Sequence, residues 1–331
     1  MKKLFCLILA IATLFALCAC GATPAAAPAL ASESASAADA SFKVGICQLV
    51  QHAALDAATQ GFKDALVDAL GDKVTFDEQI AAGDIPTCAT ICSGFVADGV
   101  DLILANATPA LQAAQAATDT IPVLGTAITE YGVALDIADF NGTVGGNVSG
   151  TSDLAPLDQQ AQMILDLFPD TKTVAILFCS SEANSVYQFE KASEYLEAKG
   201  VTVLEEKFTD SNDVSTVTQA ACEEADVLFI PTDNVAASCA ETIGNIAETA
   251  GIPVITGEEG PCAICGVATL TIDYYQLGRV TGEMAAKILT GEKNVSEMAV
   301  EYDTNPVKKF NSAMAELFNV DIPADFVAIE G

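Results

Sequence analysis

The 331-residue sequence contains one histidine, His52, and no tryptophan, and aromatic residues make up only 6% of it. A single imidazole is poor material for acid–base catalysis, which rests most often on histidine. With no second Cys-x-x-Cys, it also leaves no Cys/His set of metal-ligand spacing, so no metal site is expected. Few aromatic faces tilt the reading against a saccharide, whose rings are held by stacking. Positive charge is scarce as well: 14 Lys and Arg stand against 45 Asp and Glu, a net charge of −31. Such a surface repels the phosphates of nucleic acid and of anionic lipid, so no nucleic-acid partner is expected. Neither a P-loop nor a Rossmann-type Gly-x-Gly-x-x-Gly occurs, and no cofactor is expected.

What the chain does have begins with a leader. Met1-Lys2-Lys3 is basic, and Leu4–Leu17 is apolar but too short for an ordinary spanning helix. Leu17-Cys18-Ala19-Cys20, followed by Gly21, has the form of a bacterial lipobox, with Cys20 as the lipidated residue and Cys18 as the rival. The alternative is an ordinary secretory signal. Residues 1–20 are thus expected to be an export segment that leaves a lipid-anchored protein on the outer face of the cytoplasmic membrane. Residues 21–41, rich in Ala, Ser and Pro, read as a flexible tether.

Eight of the eleven cysteines lie beyond the leader. Cys88/Cys92 and Cys262/Cys265 are near enough in sequence to pair, yet most sit in apolar runs, where a free thiol acts as a small hydrophobe. Free thiols are the favoured reading, with disulfides next and zinc last.

The organising stretch is Asp226–Glu259. Its apolar runs, Val227–Pro231 and Ile252–Thr256, end in Thr232-Asp233-Asn234 and Gly257-Glu258-Glu259, and a helical segment separates them. Runs of this kind are strands of a parallel sheet covered on both faces, and ligands bind beyond their carboxyl ends. The same grammar occurs earlier, at Asp101–Asn106 and Ile121–Thr126. Two similar α/β halves are therefore expected to face each other across a cleft.

In the first half, strands are expected at Lys43–Val50, Val74–Ile80, Val100–Ala105 and Ile121–Ala127, with helices at Ala53–Leu70, from Pro86 to Ala97, and from Pro109. In the second, strands fall at Thr173–Phe178, Val201–Phe208, Val227–Pro231, Ile252–Thr256 and Gly266–Thr271. Helices there are expected at Leu154–Phe168, Ala183–Lys199, Asp213–Glu223, Val235–Ala250 and Tyr274–Leu289. Glycine-rich Asn141–Asp153 is the candidate hinge. The lobes are placed at 42–147 plus about 273–291, and 148–272 plus about 292–331.

Six stretches in order carry a resemblance: residues 48–58 (QLVQHAALDAA), 149–156 (SGTSDLAP), 180–185 (SSEANS), 231–234 (PTDN), 257–260 (GEEG) and 272–279 (IDYYQLGR). Together with the lipobox they resemble the ABC-transporter substrate-binding lipoproteins of the tryptophan or aromatic amino-acid type, from about residue 43 to 320. Ala53 departs from the proline usual there, and the cysteine load is unusual. The resemblance implies a type I periplasmic-binding-protein fold, in which two Rossmann-like lobes with parallel sheets are joined by a three-segment hinge. It also implies a monomer that closes on an amino acid and delivers it to a permease and its ATPase.

A zwitterion needs donors for its carboxylate and an anion for its ammonium. Asp233 is the first choice for the ammonium, and Glu258 the second. Backbone N–H groups and the hydroxyls of Ser181 and Ser185, at a strand end opening a helix, are candidates for the carboxylate, with Ser149, Thr151 and Ser152 in the crossover and Thr108 from the other lobe as further hydroxyl donors. Asp153, Glu182 and Asn184 are also ligand-contact candidates. Gln48, His52, Asn234 and Asp273 complete the candidate set. Glu182, Asn184, Asp233 and Asp273 also fit plain helix caps. Tyr274 and Tyr275 fit either stacking on an aromatic ligand or packing. A ligand sensor for chemotaxis or a kinase, a sugar or nucleoside binder, and an enzyme using Glu258 and Glu259 are the alternative readings.

Overall fold

The computed structural model describes residues 41–303 and 305–329. The export segment, its lipidation site Cys20 and the tether up to residue 40 lie outside the described residues. In chain order the first half comprises β1 (Phe42–Gln48), α1 (Ala53–Leu70), β2 (Val74–Ile80), α2 (Ile85–Asp98), β3 (Leu102–Asn106), α3 (Thr108–Ala117), β4 (Val123–Ile128), α4 (Tyr131–Ala134) and β5 (Val148–Ser152). Next come α5 (Leu157–Leu167), β6 (Thr173–Cys179), α6 (Ala183–Ala198), β7 (Thr202–Phe208), α7 (Val214–Glu224), β8 (Val227–Ile230), α8 (Asn234–Ser238), α9 (Ala240–Ala250), β9 (Val254–Thr256), α10 (Glu259–Ile264) and β10 (Ala268–Thr271). The chain ends with α11 (Tyr274–Leu289), β11 (Glu301–Tyr302), β12 (Val307–Phe310), α12 (Ser312–Leu317) and β13 (Val327–Ala328).

The strands form two sheets. One has the order β11-β5-β4-β3-β1-β2, the other β13-β12-β10-β9-β8-β6-β7. Every pairing is parallel except β10 with β12. All five residues of β3 and all four of β8 are buried, as expected for central strands covered by helices on both faces. This is the two-lobed α/β architecture read from the sequence. The core cysteines 47, 88, 92, 179, 262 and 265 are buried free thiols. Among the described residues no helix is long and apolar enough to cross a membrane.

The lobe boundaries differ from expectation. Asn141–Asp153 is not a hinge throughout, because β5 inside it pairs with β4 and β11 pairs with β5, so both extend the first sheet. The chain crosses between sheets after β5, after β10 and after β11, which moves the expected boundaries at 147/148 and near 291/292 to later residues. The polar look of β5 misled the reading. Its small side chains are spent internally: Ser149 donates to the Met298 carbonyl at 3.0 Å and Thr151 meets Thr281 at 2.8 Å. Gly150 has φ of 145°, and a Cβ there would lie 2.1 Å from the Gly125 carbonyl oxygen and 2.3 Å from the Tyr131 hydroxyl. Its glycine serves close packing over the buried Tyr131, not a flexible crossing.

Two helices also differ. The one expected over Leu154–Phe168 starts at Leu157, after Pro156, and Val235–Ala250 breaks at Cys239 into α8 and α9.

Helix α11 returns to the first lobe and packs on α1 almost backbone to backbone. A Cβ on Gly278 would sit 2.0 Å from the Ala58 carbonyl oxygen, and one on Gly61 2.0 Å from that of Tyr275. Gly278→Ala is therefore expected to destabilise the protein by about 1–3 kcal/mol through overpacking. Gly94→Ala on α2, where a Cβ meets nothing within 4 Å, is expected to stabilise it by about 0.5–1 kcal/mol. Urea unfolding of the two variants checks both signs.

Candidate functional site

The carboxyl ends of the strands converge on the cleft. From the first lobe come His52 after β1 and Thr108 after β3; from the second, Glu182 and Asn184 after β6, Asp233 and Asn234 after β8, and Glu258 after β9. Asp153 stands on the first crossing, and Tyr274 opens α11 just past the second. The two walls touch. His52 Nε2 lies 3.1 Å from Asn234 Oδ1, and a Cβ on Gly260 of α10 would come within 3.3 Å of the Ala53 side chain. The cleft is closed.

Hydrogen bonding sorts the twelve expected contact residues into braces and open groups. Gln48 is a brace: its amide donates to the Val50 carbonyl and to Asp56, while Thr59 donates to its oxygen at 2.7 Å. Ser152 donates to the Thr129 carbonyl and accepts the Leu154 N–H. The Ser185 hydroxyl takes a bond from the Asn184 amide.

Asp233, first choice for the ammonium, has both oxygens engaged. The Ala236 N–H reaches Oδ1 at 2.8 Å, capping α8, and the Cys179 N–H reaches Oδ2 at 2.6 Å. Asp273 accepts the Gln276 N–H, caps α11 and is exposed, outside the cluster. Ser181 bonds the Thr209 carbonyl on the surface, and Tyr275 is exposed with its hydroxyl on Asp64.

Seven buried polar atoms on six of the expected residues have no partner: His52 Nδ1, Thr108 Oγ1, Asp153 Oδ1, Glu182 Oε1, Asn184 Oδ1 and both oxygens of Glu258. Buried polar atoms are rarely left so, and their gathering at one cleft makes it the candidate ligand site. The geometry therefore ranks Glu258 ahead of Asp233 as a ligand contact. Asn234 links the walls, facing His52 with its oxygen and donating its amide to Glu182. Ala107, buried before α3, holds φ of 91°, a conformation that L-residues seldom adopt and that sets the start of that helix beside Thr108.

The electrostatics are one-sided. Asp153, Glu182, Asp233 and Glu258 are each at least 96% buried (relative exposures 4%, 1%, 1% and 1%), and no ion pair among the described residues includes any of them. Burial, then the neighbouring Asp153, Asp233 and Glu182, holds Glu258 well above the usual carboxylate range. Burial and Asp233 push Glu182 up to about 8, against the amides of Asn234 and Asn184. Asp153 is pushed up to about 6 by burial and held back by the Tyr274 hydroxyl, which donates to it at 3.0 Å. Burial lowers His52, opposed by its bond with Asn234. No set of three or more His, Cys, Asp or Glu side chains able to hold a metal ion is present among the described residues.

Three supporting roles were not anticipated from sequence. Tyr274 donates its hydroxyl to Asp153. Gln160 donates to the carbonyls of Gly257 and Leu270, pinning the loop that carries Glu258. Gln188 holds the Thr232 backbone by both its N–H and its carbonyl. A glutamine in an otherwise apolar helix face is the one sequence signal for Gln160, and Gln188, on a face shared with Asn184, Ser185 and Ser193, had none.

Three comparisons bear on this site. The family model for ABC transporter substrate binding proteins matches residues 43–328. A tyrosine-binding protein of Clostridioides difficile (strain R20291) is 37% identical over 260 residues, 78% of this chain and 75% of the relative. An ABC domain from Streptococcus pneumonia, solved in complex with L-Trp, is 31% identical with a TM-score of 0.82, covering 86% of this chain and 97% of that one. A ligand-free, open substrate-binding protein with adhesive properties from Clostridium difficile is 36% identical over 87% of this chain and 99% of that one, yet its TM-score is 0.66. Higher identity with lower overlap accords with a cleft that is closed here and open there.

The division into braces and open groups has a direct consequence. Asp233→Ala is expected to cost about 1–3 kcal/mol of stability in the ligand-free protein, from the lost cap and the stranded Cys179 N–H. Asp273→Ala, which removes only an exposed cap, is expected to cost about 1 kcal/mol and leave ligand affinity unchanged. Urea melts and binding titrations of both variants provide the check.

Proposed function

The chain belongs to the ABC transporter substrate-binding protein family, and on that premise we propose that its cleft captures a free aromatic α-amino acid and hands it to a membrane permease. The observation that carries the ligand class is the set of buried carboxylates with unpartnered oxygens and no protein cation among them. A ligand ammonium supplies the missing charge, with Asp153 Oδ1 as its ionised acceptor, since Asp153 is pushed up only to about 6. Leaving such a charge unpaired in a closed cleft costs roughly 3–5 kcal/mol, so a ligand without the ammonium is rejected. The first-turn N–H groups of α3 and α6, beside Thr108 and Asn184, suit the ligand carboxylate. The aromatic side chain is supported by the relatives that bind tyrosine and L-Trp.

The work done is binding, not catalysis. Ligand enters the open cleft and bridges the walls, and the closed state gains the His52–Asn234 contact, so that capture shifts the equilibrium toward closed. Proteins of this family act outside the cytoplasm. Anchoring through Cys20, a monomeric state, and partnership with a permease and its ATPase belong to the same proposal, supported by the lipobox-like leader and by the family.

A thermal-shift panel of residues 42–331 against amino acids, sugars and nucleosides tests the ligand class. Stabilisation of about 2.7 kcal/mol is expected when tryptophan, tyrosine or phenylalanine is present at roughly a hundred times its Kd. The matching aryl-propionate, which lacks the amino group, is expected to bind at least a hundredfold more weakly, about 2.7 kcal/mol. A shift with sugars or nucleosides alone, or equal binding of the deaminated analogue, would overturn the amino-acid reading. In calorimetric titrations, Glu258→Ala and Asp153→Ala are each expected to weaken binding at least tenfold, about 1.4 kcal/mol.

A further inference from the structure

Four carboxylates close around a ligand that brings one positive charge and one negative. They arrive on four separate segments: Asp153 on the first crossing, Glu182 heading α6, Asp233 heading α8, and Glu258 in the turn after β9. The other titratable groups facing them are Tyr274, whose hydroxyl donates to Asp153, the buried Tyr131 near Asp153, Cys179, whose N–H donates to Asp233, Cys239 near Asp233, and His52, which has Asp56 near it. Lys309 is committed to Glu259 at 2.6 Å, at a partly exposed position.

The available donors are distributed unequally. Asp233 has two backbone N–H groups, Glu182 has the amides of Asn234 and Asn184, and Asp153 has the tyrosine. Glu258 has none, on either oxygen. A zwitterion is neutral and cannot balance four negative charges in one dry space. Like charges buried together do not all stay ionised, and the shortfall is met by protons.

We propose that closing the cleft on its ligand takes up at least one proton from solvent, held on Glu258 or Glu182 as a neutral carboxylic acid, so that capture is proton-linked. This rests on the amino-acid reading of the cleft and deepens it. A protonated Glu258 becomes a donor, and its O–H can bond the ligand carboxylate that an ionised Glu258 would repel. The raised pKa of Glu182 and Glu258 in the closed state agrees with the charge count.

The sign follows from the direction of the shifts. These acids hold the proton more tightly when closed than when open to water, so affinity is highest at low pH and is lost as pH rises through the raised value, about 8 for Glu182. His52 works the other way: burial lowers it, so closing below its ordinary value of about 6.5 releases a proton. The clean window therefore lies above that value.

The test is calorimetric titration of the full mature chain with L-tryptophan or L-tyrosine between about pH 6.5 and 8, in buffers of differing ionisation enthalpy. The amino titration of the free ligand, measured alone, is subtracted. Observed heat is expected to vary with buffer enthalpy at a slope of about one proton taken up, and Kd to rise about tenfold per pH unit. Glu258→Gln or Glu182→Gln is expected to lower that slope and flatten the pH profile. An infrared difference band for a protonated carboxylic acid, appearing in the unmodified protein on binding, tests the same point without a variant. Tight binding with zero slope, a flat profile and no acid band would overturn the proton linkage and leave the amino-acid reading standing. Failure of every aromatic amino acid to bind would overturn both.

Discussion

Keeping four carboxylates out of water without a cation is the constraint on which the closed form depends. Removing a lone carboxylate from water costs several kcal/mol even after the protein relaxes, and Asp153, Glu182, Asp233 and Glu258 are all at least 96% buried. Where donors exist the cost is offset, as for Asp233 between two backbone N–H groups. Where they do not, as for Glu258, the group waits for something from outside. On the proposed function, selectivity follows from that waiting. A cleft that is costly to close when empty and less costly to close around an ammonium discriminates by charge before it discriminates by shape.

The surroundings hold this arrangement rigid. Gln160 and Gln188, buried on helices, reach into the loops bearing Glu258 and Asp233 and fasten their backbones. In the first lobe Gln48, Thr59 and Asn106 form a chain of side-chain bonds. Most of their hydrogen-bonding capacity is spent within the protein, with Asn106 Oδ1 and Gln160 Oε1 left without a partner. Their work is to keep the open oxygens from swinging toward one another's donors, which would satisfy them without a ligand and leave the cleft inert.

Closure in turn depends on small residues. Gly260 and Ala53 meet across the cleft mouth with little room to spare, and α11 lies on α1 through Gly278 and Gly61, so that the returning helix moves with the first lobe. The three crossings after β5, β10 and β11 are then the places where the lobes can turn relative to each other. The His52–Asn234 contact joins the two walls in this closed form. Asn234 also donates to Glu182, so the contact that joins the walls is tied to the acid cluster itself.

Much of this was legible in the residues. Apolar runs ending in polar tips announced the parallel strands, because burial on both faces demands unbroken apolar character. The bounds of α1, β2 and α11 matched those read from spacing and from caps such as Asp273. The polar tips also named the cleft residues, since such sheets bind at their carboxyl ends. Local sequence did not show which of those side chains were already occupied. Asp233 reads as either a ligand contact or a helix cap, and its second oxygen accepts from Cys179, a partner 54 residues away. Strand β5 reads as a hinge because its hydroxyls look solvated, yet they bond inward to Met298 and Thr281, far along the chain. The sequence by itself determined the periodicity, and therefore the two lobes and their cleft. Only the tertiary structure decided which polar groups find partners across the fold and which remain for a ligand, because such pairing depends on distances between segments that no local pattern encodes.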